Sequence, residues 1–370
     1  MKKKTNVQDF LLKLQLLSHW NCLSIPDKKH FQESLMVSIK DVAQLANVSI
    51  ATVSRVINSP ERVSEKRRTI VLDAIKQLNY HPNDIARSLQ RNESHLIGVL
   101  APDISNLFTS EIISILSSDL EEHDYSMFLA ITNHNPQKET RLVNLMLQKR
   151  VSGMILLGTR RNTTENDSLL DDVARTIPTL MVDYTNNCNM YCVRINEAAG
   201  ISDAVHYLYD LGHRKIAFVN GSPSLISHYY KEIGYKQTME ELRLTDMAQK
   251  YTVVVSPDYA GGARGANMLL NQSDPPTAIV TGGDTIAVGV YYGIAMNGLS
   301  IPNDISVIGF SGSAASQYTY PSMTTVDQKP AILGSLISTT LIDILNGKTD
   351  VNRNNILEPG LLIRDSCRKI

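Results

Sequence analysis

Residues 38–89, SIKDVAQLANVSIATVSRVINSPERVSEKRRTIVLDAIKQLNYHPNDIARSL, hold the pattern from which the rest of the chain is read. Ser38 and Asp41 have the Ser-x-x-Asp spacing of a capping box, ahead of apolar Val42 and Ala46. Asn47-Val48 breaks that first helix. Ser49 caps a second one, whose inward face is Val53, Val56 and Ile57. Two short helices joined by so brief a turn form a helix-turn-helix, and the second has the width of a DNA major groove. Ile50, Ala51, Ser54 and Arg55 are left over from the core and are expected to face outward. Arg55 can donate two hydrogen bonds to a guanine edge, while Ile50 and Ala51 offer apolar contact suited to a thymine methyl. Ser49, Thr52, Ser54 and Asn58 are expected to position phosphates. Ser64 starts a third helix with Ile70, Val71, Ala74, Ile75 and Leu78 on one side, which closes the small core. Asn83 then caps about seven residues, Asp84 to Gln90, a helix too short to be stable alone. It needs its symmetry mate and DNA, and Leu89 at its end can wedge between base pairs in the minor groove. Ser38, Asn83 and Arg87 complete the expected DNA-binding set.

Working outward, 370 residues are too many for one core, so two or three domains are expected. Hydrophobic residues make up 43% and charged ones 20%, the balance of a soluble globular protein. The formal net charge of -1 argues against a nucleic-acid binder, but its distribution does not. Residues 37–96 carry nine Lys/Arg against six Asp/Glu, residues 1–36 six against three, and the remainder 21 against 28. A basic front on an acidic body fits a DNA-reading head on a separate regulatory body. Cys22, Cys188, Cys192 and Cys367 make no disulfide framework and no metal set, so reduced thiols in a cytoplasmic protein are expected, without metal or cofactor. No run approaches the ~18 apolar residues of a membrane span.

Residues 1–36 begin basic and turn apolar like a signal peptide, but polar residues interrupt the run and no small-residue cleavage site follows. Met36 is the expected natural start, with residues 1–35 arising from a misplaced upstream start codon. The alternative is a mostly disordered arm with one amphipathic helix.

The motifs DVAQLANVSIATVSRVIN, VSEKRR, NYHPNDIARSL and IGVLAPDISNLF together resemble the lactose/galactose repressor family of bacterial transcription regulators. The similarity runs from about Val37 to the C-terminus and is densest in its first sixty residues. It implies a homodimer or tetramer that binds a palindromic operator and responds to a small molecule such as a sugar or sugar phosphate. It also implies an α/β architecture in which the helix-turn-helix head and hinge helix join a two-lobed, doubly wound, periplasmic-binding-protein-like effector domain.

The body is consistent with that. Apolar runs LIGVLA, MFLAI, GMILL, PTLMVD, CVRI, KIAFV, TVVV, TAIVT and ISVIGF alternate with helical periods, the mark of parallel sheets covered by helices. There are too many strands for one sheet, so two lobes are expected. The head spans 37–82 and the hinge and linker 83–95. The resemblance places crossings near Ile195, Gln328 and Leu345, giving one lobe 96–195 with 328–345 and the other 196–327 with 346–370.

Ligands bind such sheets beyond the C-terminal ends of the strands. Phe108, Asp183, Tyr184, Lys231, Tyr259, Asp284 and Ser311 fall in such places and form the expected effector set. Carboxylates and a cation in a dry cleft suit hydroxyl-rich ligands, and aromatic faces suit sugar rings or nucleobases. Each also has a plainer role, an aromatic as wall and Asp284 as a helix cap. Relative to the family, Lys231 stands where Arg is usual, Gly283 where Asn is usual, and Ser311-Gly312 where acids are usual. The sugar-gripping set is therefore about half present.

Two other classes compete. An enzyme lacks a complete constellation: Gly261-Gly262-x-x-Gly265 does not follow a strand as a dinucleotide fingerprint would. Gly309–Ser313 misses the nucleophile elbow at its last glycine, and His206 and His213 have no matching nucleophile. A solute-binding protein would share the body but need export and lack the head. Within gene control, repression needs only tight dimeric binding and is the default over activation or corepression.

Overall fold

The computed structural model describes residues 37–80, 94–158, 167–185, 187 and 189–370. The chain divides into two compact units, one ending at Arg91 and the other beginning at Asn92.

In the first unit, helices α1 (Ile39–Leu45), α2 (Ile50–Asn58) and α3 (Glu65–Gln77) enclose a core of Val42, Ala43, Ala46, Val53, Val56, Val71, Ala74 and Leu78. The Ser38 backbone N–H donates to Asp41 Oδ2 at 2.8 Å, and the Ser38 hydroxyl donates to the same oxygen at 2.8 Å. Asn47 takes a left-handed φ of 49°, which turns the chain between α1 and α2; asparagine tolerates that conformation better than most residues. Ser49 Oγ accepts the Thr52 N–H at 3.2 Å and caps α2. Ile70 departs from expectation: it is 43% exposed. The inward stripe of α3 is Val71, Ala74 and Leu78, at i, i+3 and i+7, and Ile70 lies about 100° round the helix from Val71.

The second unit holds two six-stranded sheets. The first has the order β11-β5-β4-β3-β1-β2, the second β12-β10-β9-β8-β6-β7. The nine expected apolar runs form β1 (Leu96–Ala101), β2 (Ser126–Ile131), β3 (Gly153–Leu157), β4 (Thr179–Val182), β5 (Tyr191–Ile195), β6 (Ile216–Asn220), β7 (Thr252–Val254), β8 (Ala278–Thr281) and β9 (Ser306–Ser311). Three further strands are β10 (Thr324–Asp327), β11 (Asn354–Leu357) and β12 (Gly360–Leu362). All pairings are parallel except β10 with β12. Both faces of such sheets are covered, which is why β1, β3, β6, β8 and β9 are almost wholly buried.

The chain crosses between sheets after β5, after β10 and between β11 and β12. The third crossing therefore falls between Leu357 and Gly360, not near Leu345, and residues 354–357 belong to the first lobe. There β11 pairs in parallel with β5. Asn-Asn-Ile-Leu is too short and too polar to read as a strand; only backbone pairing reveals it. The three crossings are tied together. Asn196 Nδ2 donates to both Glu358 carboxylate oxygens at 3.1 and 3.2 Å, and Lys329 Nζ donates to the Glu358 carbonyl at 2.8 Å.

Helices flank the sheets: α4 (Leu107–Glu122), α5 (Pro136–Gln148), α6 (Asp167–Thr176) and α12 (Pro330–Leu345) with the first, and α7 (Glu197–Asp210), α8 (Ile226–Glu241), α9 (Thr245–Tyr251), α10 (Tyr259–Leu270) and α11 (Asp284–Met296) with the second. The glycines of the 261–265 run lie inside α10, and their role is packing. A Cβ on Gly262 would sit 2.0 Å from the Ile286 carbonyl oxygen of α11, and one on Gly289 would sit 2.1 Å from that of Tyr259. The two helices meet backbone to backbone.

Candidate functional site

The outward face of α2 is the first candidate. Ile50, Ala51 and Arg55 are exposed, Thr52 and Ser54 half-buried, and Val53 and Val56 hold the helix to its core. A base-reading helix needs this arrangement: a rigid back, a cation and small apolar groups in front. Among the polar residues of the expected DNA-binding set, Ser38 and Ser49 already serve as helix caps, and Ser49 Oγ lies 2.9 Å from Thr52 Oγ1. Asn58 is the last residue of α2. Asn83, Arg87, Leu89, Cys188 and residues 1–36 lie outside the described residues.

The second candidate is a cavity of about 180 Å³ between the two sheets. It is lined from the first lobe by Asp103, Phe108 and Asp183, and from the second by Glu197, His228, Lys231 and Ser311. Four expected effector residues, Phe108, Asp183, Lys231 and Ser311, are thus brought together. Phe108 is placed by Asn106, whose Oδ1 accepts the Phe108 and Thr109 N–H groups and starts α4. Ser311 holds a φ of 142° at the end of β9, a conformation costly for any residue but glycine and one that clusters at functional sites.

Lys231 is the electrostatic centre. It is 6% exposed, donates from Nζ to the Gly282 carbonyl at 3.1 Å and lies 4.2 Å from the Phe310 ring centroid. Burial lowers its pKa, opposed by the carboxylates of Glu197, Asp183 and Asp284.

The other three expected residues do not line the cavity. Tyr184 stacks on Tyr230 with centroids 3.6 Å apart, has the Arg194 guanidinium 4.4 Å from its ring centroid, and lies near enough to Glu197 to favour its charged form. It therefore braces a cavity residue from behind. Asp284 is buried at the start of α11 and is no helix cap: Gly283 occupies that position. Its Oδ2 accepts the Ser313 N–H and hydroxyl at 2.8 and 2.7 Å, and its Oδ1 accepts the Thr325 hydroxyl at 2.6 Å. That knot fixes the turn after β9, and so the position of Ser311. Tyr259 is the exposed first residue of α10, next to the cap Asp258.

Glu197 and His228 were not among the expected residues. Glu197 directly follows β5 and Asn196, so the strand-end rule that found the others applied to it too. His228 has no such signal. Its Nδ1 lies 2.7 Å from Asn220 Oδ1 at the end of β6, and Asn220 Nδ2 donates back to the His228 carbonyl at 2.9 Å. Burial pushes its pKa well below the ordinary imidazole value, helped by Lys231 and then His134, so the ring is neutral.

Residues 38–83 match the family model described as bacterial regulatory proteins, lacI family, and residues 205–367 one described as periplasmic binding protein-like domain. Catabolite control protein A of Priestia megaterium is 34% identical over 314 residues, 85% of this chain and 94% of that protein. The ribose operon repressor of Haemophilus influenzae is 32% identical over 333 residues, 90% of this chain and 98% of that protein. Among solved structures, the lac repressor dimer bound to operator and the anti-inducer ONPF has a TM-score of 0.82 at 27% identity, covering 90% of this chain and 99% of that one.

Proposed function

The chain belongs to the lacI family of bacterial regulatory proteins, and from that premise we propose that it is a homodimeric repressor of a carbohydrate-utilisation operon. It binds a palindromic operator in the cytoplasm and is switched by a small molecule in the cleft. The carrying observation is the exposed Arg55-Ile50-Ala51 face of α2 on a closed three-helix core. Two such faces, paired through the bodies, would read half-sites about one helical turn apart.

Arg55→Ala, assayed by footprinting on an operator selected from random DNA, is expected to cost about 1–3 kcal/mol of specific binding. Unchanged footprints would sink the assignment. Leu89, in the proposed hinge helix, is the expected minor-groove wedge. Leu89→Ala should weaken specific binding and bending while leaving non-specific, electrostatic binding nearly intact. Equal loss on both kinds of DNA removes the wedge.

Switching follows from the two lobes. A ligand that prefers the closed cleft would rotate the first lobes at the dimer interface, change the spacing of the hinges and so their folding. Induction or corepression then depends on which state the ligand prefers.

We read the molecule as non-catalytic. The described residues do contain a histidine beside a hydroxyl, His213 Nε2 at 3.0 Å from Ser306 Oγ, but both are buried in the second lobe away from the cavity. The same ring nitrogen lies 3.1 Å from the Arg368 carbonyl. This is a tie holding the C-terminal segment, with no room for a substrate. No described helix is long and apolar enough to cross a membrane.

A further inference from the structure

Beside the cleft the fold leaves one polar atom unanswered, on a residue that lines it. Glu197 is the first residue of α7, immediately past the first crossing, and is only 6% exposed. Burial raises its pKa, opposed by the Lys231 ammonium and by the nearby Ser227 and Tyr184 hydroxyls, and Oε2 is buried with no hydrogen-bond partner among the described residues. An unmet buried acceptor costs about 1–3 kcal/mol, more when charged, so a donor brought to it is rewarded.

The charges around it narrow what that donor is. Formal charge on the lining comes from Asp103, Asp183 and Glu197 against Lys231. The Lys231 ammonium already faces Glu197 and Asp183 and donates to Gly282, and burial keeps His228 neutral. No arginine lines the cavity among the described residues, so no planar fork waits for a phosphate or carboxylate. An anionic ligand would add to an existing surplus of carboxylates. A cationic one would offset it, and a charge-assisted hydrogen bond to a carboxylate is roughly twice as strong as a neutral one. The volume of about 180 Å³ lies below that of pockets for drug-sized molecules, and Phe108 supplies an apolar wall.

Resting on the ligand-responsive regulator above, we propose that Glu197 is the specificity-determining residue of the cleft. Its carboxylate accepts the ammonium N–H of an amino sugar, in preference to a neutral sugar and to the exclusion of sugar phosphates.

Isothermal titration of the full chain tests this with glucose, mannose and galactose, each as the free sugar, the 2-amino sugar and the 6-phosphate. In at least one of the three series the amino sugar is expected to bind about tenfold or more tighter than the free sugar, with no measurable binding of the phosphate. Glu197→Gln, nearly isosteric, should raise that Kd about ten- to hundredfold, and Glu197→Asp should fall between. Operator binding without sugar should persist in both variants and serves as the folding control. If a phosphate binds tightest, if none of the nine binds, or if Glu197→Gln leaves Kd within about twofold, the proposal is overturned. Intact operator binding in those cases would leave the regulator itself standing; wild-type chain that ignores operator DNA would instead remove the regulator.

Discussion

At the residue scale, buried polar groups divide into those the fold satisfies and those it leaves for a ligand. Asp284 and His213 are of the first kind: each holds three hydrogen-bonding contacts to its own lobe. Glu197 is of the second. The distinction has a pH signature. Burial lowers the pKa of His213 below its ordinary 6.5, against the raising effect of the Arg368 carbonyl. The unfolded chain then binds a proton that the native state refuses. Stability is fully present above pH 6.5 and is lost as the pH falls from there towards the folded pKa. Urea midpoints measured from pH 7.5 to pH 5 should therefore fall less steeply for His213→Gln than for the parent; parallel curves would show that the imidazole titrates alike in both states. Strand-end position located Phe108, Asp183 and Ser311 in the cleft, and the HYYKEIGY motif located Lys231. It did not tell a ligand-facing carboxylate from a structural one, because that depends on Ser313 and Thr325 reaching Asp284 from 29 and 41 residues away.

At the scale of elements, local signals were reliable where one helix or strand could state them by itself. The Ser38-Asp41 start, the Asn47 break and the Ser49 cap all act within a few residues of sequence, and all three are present. Ile70 misled because the stripe of α3 that meets the other two helices runs through Val71, Ala74 and Leu78, and Ile70 lies off it. The close pair α10 and α11 is the opposite case: its glycines, set aside in the sequence as an incomplete dinucleotide fingerprint, act as a contact surface. Gly262→Ala should cost about 1–3 kcal/mol or more in urea denaturation, since the new methyl meets a backbone carbonyl that cannot rotate away. A stability within error of the parent would mean the helices can separate freely.

For the whole molecule, assembly decides whether two α2 helices can read one operator. The described surface offers a face for it on the second lobe. Tyr292 and Met296, one turn apart on α11, are 62% and 67% exposed. If the proposed homodimer covers this face, its loss is measurable. The double variant Tyr292→Glu with Met296→Glu should sediment as a monomer at concentrations where the parent is a dimer, its dissociation constant raised at least about a hundredfold. Specific operator binding should fall with it. A variant that remains dimeric would move the interface elsewhere.

Sequence alone determined the three-helix head, nine of the twelve strands among the described residues and the two-lobed plan. Periodicity and capping are short-range, and they report which face of an element avoids water. Only the tertiary structure decided the third crossing, since Asn354–Leu357 becomes a strand by pairing with β5 some 160 residues earlier. Only the tertiary structure, too, separated the knotted Asp284 from the unanswered Glu197, because a hydrogen bond is satisfied by whatever the fold brings near it, and sequence distance does not record that.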